Sequence, residues 1–152
     1  MGASRLLTKA FPGHRFAPLL RKNGTLNDPS RVIITASIAG IGVGTLGANA
    51  TFGYSASKAA ALHLAKNLAL ELGPQHILVN SIAPGFFPTK MASGLMELSG
   101  GVEKLANASP NRRLGQPEDI AGTIVYLCSR AGGHVNGGHV VLDGGSVLQA
   151  KL

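Results

Sequence analysis

Acidic side chains are scarce in this chain, cysteine is almost absent and tryptophan is missing altogether. The single cysteine, Cys128, excludes an internal disulfide and a cysteine-based zinc site. It sits in an apolar helical stretch, TIVYLCSR, which reads as ordinary core packing, and a reducing compartment is the natural setting. With aromatics at 5% the core must be aliphatic. No apolar run approaches the roughly 18–20 residues that a helical membrane span needs. The shortage of acids leaves 14 Lys and Arg against 7 Asp and Glu, a net charge of +7. That surplus is concentrated early, because Arg5, Lys9, Arg15, Arg21 and Lys22 all precede the first acid, Asp28. There is no extended basic run, no interleaving of bases with aromatics and no zinc-finger spacing, so the charge does not mark a nucleic-acid binder. The basic, acid-poor N-terminus suits either a solvated helix or a mitochondrial presequence.

What is abundant points to one α/β domain. The hydrophobic fraction is 45% with a mean hydropathy of +0.22, and 152 residues suffice for a sizeable core. Residues 5–22 have scattered helical periodicity broken at Pro12-Gly13, and NGTLNDPS is a turn cluster. RVIITAS (31–37), ILVNSIA (77–83) and HVVLD (139–143) read as short buried parallel strands. Between them the strong helix formers of residues 54–72, closed by Gly73-Pro74, predict the longest helix. Residues 117–130 predict another, opened by Pro117, Glu118 and Asp119. Residues 89–108 pattern weakly as helix, broken by Gly94, Gly100 and Gly101, which suits a mobile flap. The alternation predicts one layer of a doubly wound parallel sheet.

Tyr54 and Lys58 carry the chemistry. Four residues apart at a helix start, they differ by only about 40° in azimuth and project from one face. An ammonium beside a phenol favours the phenolate, which makes Tyr54 a candidate general acid/base. Ser37 ends a strand at the carboxyl edge, where ligands bind in parallel α/β sheets, and its hydroxyl is suited to hold a substrate oxygen against Tyr54. His63 is more suited to helix packing or a subunit interface. His134 and His139 lack an acidic partner at metal-ligand spacing, so no metal is expected.

These pieces resemble the short-chain dehydrogenase/reductase family. The matching segments are RVIITASIAG, YSASKAAALHLAKNLALELGPQHILVNSIAPG (one Ala more after Lys58 than the family pattern), RRLGQPEDIAGTIVYL and VNGGHVVLDGG. They occur in family order and cover about residues 16–146, and NSIAPGFFPTKM looks like the branch of 3-oxoacyl thioester reductases of rhamnolipid type. The resemblance implies a Rossmann-like sheet and hydride transfer between NADP or NAD and a ketone or secondary alcohol. It implies that Tyr54 moves the proton and touches the cofactor, Lys58 holds the nicotinamide ribose and Ser37 orients the substrate oxygen. Pro84-Gly85 would pass beneath the nicotinamide, and Thr89 would meet its carboxamide or the pyrophosphate. Phe86 and Phe87 would shape the substrate pocket, Asn80 would hold neighbouring loops, and Asp143-Gly144-Gly145 would close the last strand. It also makes the small-residue face of Ala56, Ala59 and Ala60 a dimer surface.

Three departures qualify the likeness. No Gly-rich dinucleotide fingerprint precedes Ser37, so the sheet is expected to be truncated to the C-terminal half, with an unpaired edge at the Ser37 strand. The family's catalytic Asn would fall near Arg5, in MGASRLLTKAF, and the stretch from Ser37 to Tyr54 is longer than the family's. The expected organisation is therefore one domain over 1–152: an atypical segment 1–30, a catalytic half 31–146 and a tail 147–152. A truncated gene product, splice form or fragment that needs a partner fits this reading. Its alternative to catalysis is a silent module that associates with itself or with full-length relatives. The terminal Ala-Lys-Leu is close to a peroxisomal address, against a plain cytoplasmic location.

Overall fold

The run ILVNSIAP becomes the central strand. The computed structural model describes residues 13–43, 50–90 and 93–149. In it β2 (Ile77–Pro84) is buried along its length except at Leu78 and Pro84, which are half-buried. β1 (Ser30–Thr35) and β3 (His139–Leu142) flank it, both parallel to it, in the order β1-β2-β3. Val32 stands opposite Val79, and Ile82 opposite Val140, so β-branched side chains meet across the ladder.

α1 (Gly13–Asn23) precedes β1, and helices occupy the connections: α2 (Phe52–Leu72), the short α3 (Ser93–Leu98) and α4 (Val102–Ala108), and α5 (Pro117–Cys128). α2 forms because Ala, Leu, Lys and Glu dominate it. It stops where Gly73 donates its N–H to Ala69 O and Pro74 follows; the chain then turns through His76 at a left-handed φ of 57°. Ala65 and Ala69 face the sheet and pack on Ile77 and Val79, with Leu20 of α1, Val32 and Ile34 around them. These small side chains let the helix lie close. The fully buried Ile77 and Val79 each contribute about 1.5–3 kcal/mol. A second cluster of Ala36, Leu62 and Ala83 continues the contact toward the carboxyl ends of the strands.

Side chains alternate along a strand, so Arg31 lies on the face opposite Val32. There its Nη2 donates to Ser129 O, just beyond α5, at 3.4 Å. Its side chain is 8% exposed, and Nε and Nη1 meet no acceptor among the described residues. α2 and α5 thus cover opposite faces, the expected doubly wound layer.

β3 is set in register by two asparagines. Asn80, fully buried, donates to Val135 O at 2.7 Å and accepts from Gly138 N at 3.0 Å. Asn136 answers by accepting from Val79 N at 2.9 Å and donating to Ala69 O at 3.0 Å. The structural role expected of Asn80 is the one observed. Asp143 likewise closes β3, accepting from Gly145 N at 2.8 Å and Val147 N at 2.7 Å.

Among the described residues β1 is an edge strand, as expected. Ser30 and Ala36 both donate across to the β2 side, to His76 O and Ile82 O. Alternate residues face the same neighbour, so Arg31, Ile33 and Thr35 turn their main chain to the open edge.

Several expectations need correcting. Cys128 is exposed rather than packed in the core. α5 turns the fully buried Leu127 inward, and the next residue, about 100° round, faces out. Ser37 lies beyond the end of β1 instead of within it, in a tighter turn. In residues 89–108 the break falls at Gly100 and Gly101, both at positive φ, whereas Gly94 is inside α3. His63 is exposed on α2. Arg5 and the Ala-Lys-Leu terminus lie outside the described residues. Among the described residues no helix is long and apolar enough to cross a membrane, and no cluster of His, Cys, Asp and Glu is arranged to hold a metal.

Candidate functional site

The carboxyl ends of β1 and β2 bring together the residues singled out in the sequence. Ser37 follows β1 and caps a single 3-10 turn, Ile38–Gly40, by accepting the Ala39 N–H at 3.2 Å. Its hydroxyl proton has only a long 3.5 Å contact to Pro84 O, at the end of β2, and is free to be redirected to a better acceptor. Tyr54 stands in the first turn of α2, where the phenol is half-exposed. One turn on, Lys58 reaches back so that Nζ lies 5.5 Å from the Tyr54 ring centroid. The same ammonium donates to Thr35 O at 3.2 Å, which ties the helix to the open end of β1. That bond uses one of its three N–H donors.

The segment after β2 is sewn to two neighbours. Gly85 donates to Leu142 O at 2.9 Å, and Gly115 donates to Phe86 O at 3.0 Å. The far end of the Phe87 ring lies against Gly115, where any Cβ would overlap it. Phe86 and Phe87 therefore wall a cavity of about 350 Å³, shared with Leu105, Leu114, Val141 and Ser146. Ser37, Tyr54 and Lys58 do not line that cavity. Two of the expected groupings thus sit side by side without merging into one pocket. Thr89 is exposed.

Sequence reasoning missed the groups that hold this edge in place. Arg113 grips Asp119 through two bonds, of 2.6 and 2.9 Å, and the same carboxylate accepts the Gln116 N–H at 2.8 Å. Arg113 and that backbone bond hold the Asp119 carboxyl at about 2, below the usual carboxylate range. The capping box of Gln116 and Asp119 was half-visible as acids in a first helical turn. The Arg113 partner had no signal beyond its proximity.

The donor set fits the nicotinamide-ribose end of a dinucleotide: two ammonium N–H donors, a phenol beside them, and a re-aimable hydroxyl against Pro84 O. Among the described residues no Gly-rich strand-turn-helix is present to seat a pyrophosphate.

Comparison with known proteins agrees with this layout. The family model described as Enoyl-(Acyl carrier protein) reductase matches residues 14–147. Short-chain dehydrogenase/reductase VdtF of Byssochlamys spectabilis is 45% identical over 118 residues, which cover 78% of this chain and 37% of that protein. The rhamnolipids biosynthesis 3-oxoacyl-[acyl-carrier-protein] reductase of Pseudomonas aeruginosa is 38% identical over 128 residues, 84% of this chain and 49% of the other. The Pseudomonas aeruginosa RhlG/NADP active-site complex superposes with a TM-score of 0.74 at 37% identity, covering 85% of this chain and 51% of that one. Other solved relatives contain NADP or NAD+. The chain spans about half the length, or less, of the relatives it matches. The family model covers residues 14–147 and the relatives agree with it, so the chain belongs to the short-chain dehydrogenase/reductase family.

Proposed function

We propose that this chain carries the proton-transfer half of an NAD(P)-dependent oxidoreductase acting on a ketone or secondary alcohol. The observation that carries the reading is the Lys58 ammonium held between the Tyr54 ring and Thr35 O. It fixes a positive charge beside a half-exposed phenol at the carboxyl edge of a parallel sheet. The similarity to a 3-oxoacyl reductase supports a 3-oxoacyl thioester as the carbonyl substrate.

The nicotinamide, when bound, supplies or accepts the hydride. Lys58 would hold its ribose with the two donors that Thr35 leaves, and the Pro84-Gly85 turn would lie against its ring. Tyr54 gives its phenolic proton to the carbonyl oxygen during reduction and is left as phenolate, which the Lys58 ammonium stabilises. Ser37 turns its hydroxyl from the long Pro84 O contact toward the same oxygen and holds it within reach of Tyr54. The reverse direction returns the proton to Tyr54. Solved relatives hold NADP or NAD+, which supports a nicotinamide dinucleotide of either kind as the cofactor.

Tyr54→Phe tests the assignment, since only a hydroxyl is lost. Turnover of a 3-oxoacyl thioester, followed by loss of the reduced-nicotinamide absorbance, should fall by about 10²–10⁴-fold, while cofactor binding by calorimetry stays within about twofold. A Tyr54→Phe chain as active as the unmodified one would remove Tyr54 from the reaction.

A further inference from the structure

Gly40 lies on the turn that carries Ser37, and it touches the helix that carries Tyr54 and Lys58. A Cβ built on Gly40 would stand 2.5 Å from Lys58 C, 2.6 Å from Ala59 N and 2.8 Å from Lys58 O. All three are backbone atoms of a helix interior, which cannot rotate aside as a side chain would. The Gly40 backbone itself is not left-handed, so space alone demands glycine here.

The turn is rigid. Gly40 N–H donates to Ser37 O at 3.0 Å, Ala39 N–H to Ser37 Oγ at 3.2 Å, and Ile41 and Gly42 N–H both to Ile38 O at 2.9 Å. A displacement at Gly40 is therefore passed to Ser37. The same residue of α2 is gripped twice: its side chain by Thr35 O at 3.2 Å, and its backbone by the Gly40 contact.

We propose that Gly40 is a positioning residue, which sets the spacing between Ser37 and the Tyr54–Lys58 pair by letting the 3-10 turn rest directly on the α2 backbone. This rests on the assignment of Ser37, Tyr54 and Lys58 as the proton-transfer group. Moving a Cβ from 2.5 Å to an ordinary contact of 3.4 Å requires a shift of about 0.9 Å, and a misplacement of about 1 Å at a reacting centre can lower turnover about 10²-fold.

The experiment compares Gly40→Ala alone and in a Ser37→Ala background, with Gly122→Ala as the control, because a Cβ at Gly122 meets nothing within 4 Å. Gly40→Ala alone should lower kcat about 10²-fold with KM little changed; in the Ser37→Ala background the same methyl should change kcat less than about threefold. Equal losses in both backgrounds would show that Gly40 does not act through Ser37 and would overturn the proposal. If the unmodified chain reduces no carbonyl substrate, the oxidoreductase reading fails separately and Gly40 is judged by NMR. The unmodified chain should then give a nuclear Overhauser contact between Gly40 Hα and the Ala59 amide, and Gly40→Ala should shift the Ser37, Ala39 and Lys58 amides. Absence of that contact, or shifts confined to the residues adjoining position 40, would overturn it whether or not the variant folds well.

Discussion

Asp119 is a residue whose charge state the fold shifts. The Arg113 guanidinium, then the Gln116 N–H, hold it at about 2 against an ordinary 3.8. A carboxyl depressed by folding stabilises the folded chain fully above its unfolded value. That contribution disappears as the pH falls from about 4 through about 2. Asp119→Asn removes the titration, so its melting temperature should lie below that of the unmodified chain at pH 5 and converge on it by pH 2. Melting curves that run parallel over this interval would show that the pair contributes nothing to folding, as many half-exposed ion pairs do. At this scale the sequence was an uneven guide. Tyr54 and Lys58 declared themselves because helix geometry alone makes an i,i+4 pair neighbours. Gly40 did not, since one glycine in a glycine-rich stretch looks like any flexible loop. Only the backbone it touches, contributed by another element, reveals its use.

Between elements, the Asn80 and Asn136 clasp does what the short β3 cannot do alone. Four residues of strand give few ladder bonds, and the clasp adds part-buried side-chain bonds at the entry to the strand. Asn80→Ala would leave Val135 O and Gly138 N without their partners. Each orphaned group costs about 1–3 kcal/mol, so urea unfolding should show a lower midpoint with the slope unchanged. An unfolding free energy within about 0.5 kcal/mol of the unmodified chain's would mean that water replaces the asparagine and the clasp is not structural. Asn80 was readable as structural from its motif. Asn136 was not, because an Asn before two glycines reads as a turn residue and its partners lie 57 and 67 residues away in sequence. The outline of the cavity walled by Phe86 and Phe87 was not legible for a similar reason. Its shape depends on Gly115 donating to Phe86 O, a contact between segments that no periodicity connects.

The whole molecule was the most legible level. β-branched runs separated by helices of crossover length leave little besides a parallel layer, and three such runs gave three strands. The order of the motifs then placed the chain in its family, while the size of the matched relatives shows that this layer corresponds to about half of theirs. The open side of β1 follows from the same arithmetic. Val32 and Ile34 direct their amides to β2, whereas Arg31, Ile33 and Thr35 point theirs away from it. In deuterated solvent the strand should therefore keep time in antiphase. The even-numbered amides should hold their protons until the sheet opens, and the odd-numbered ones should surrender theirs at near-solvent rates. Uniform retention from Arg31 to Thr35 would mean that another strand has taken the edge. The alternating trace would make β1 a built-in gauge of whether that side of the sheet is occupied.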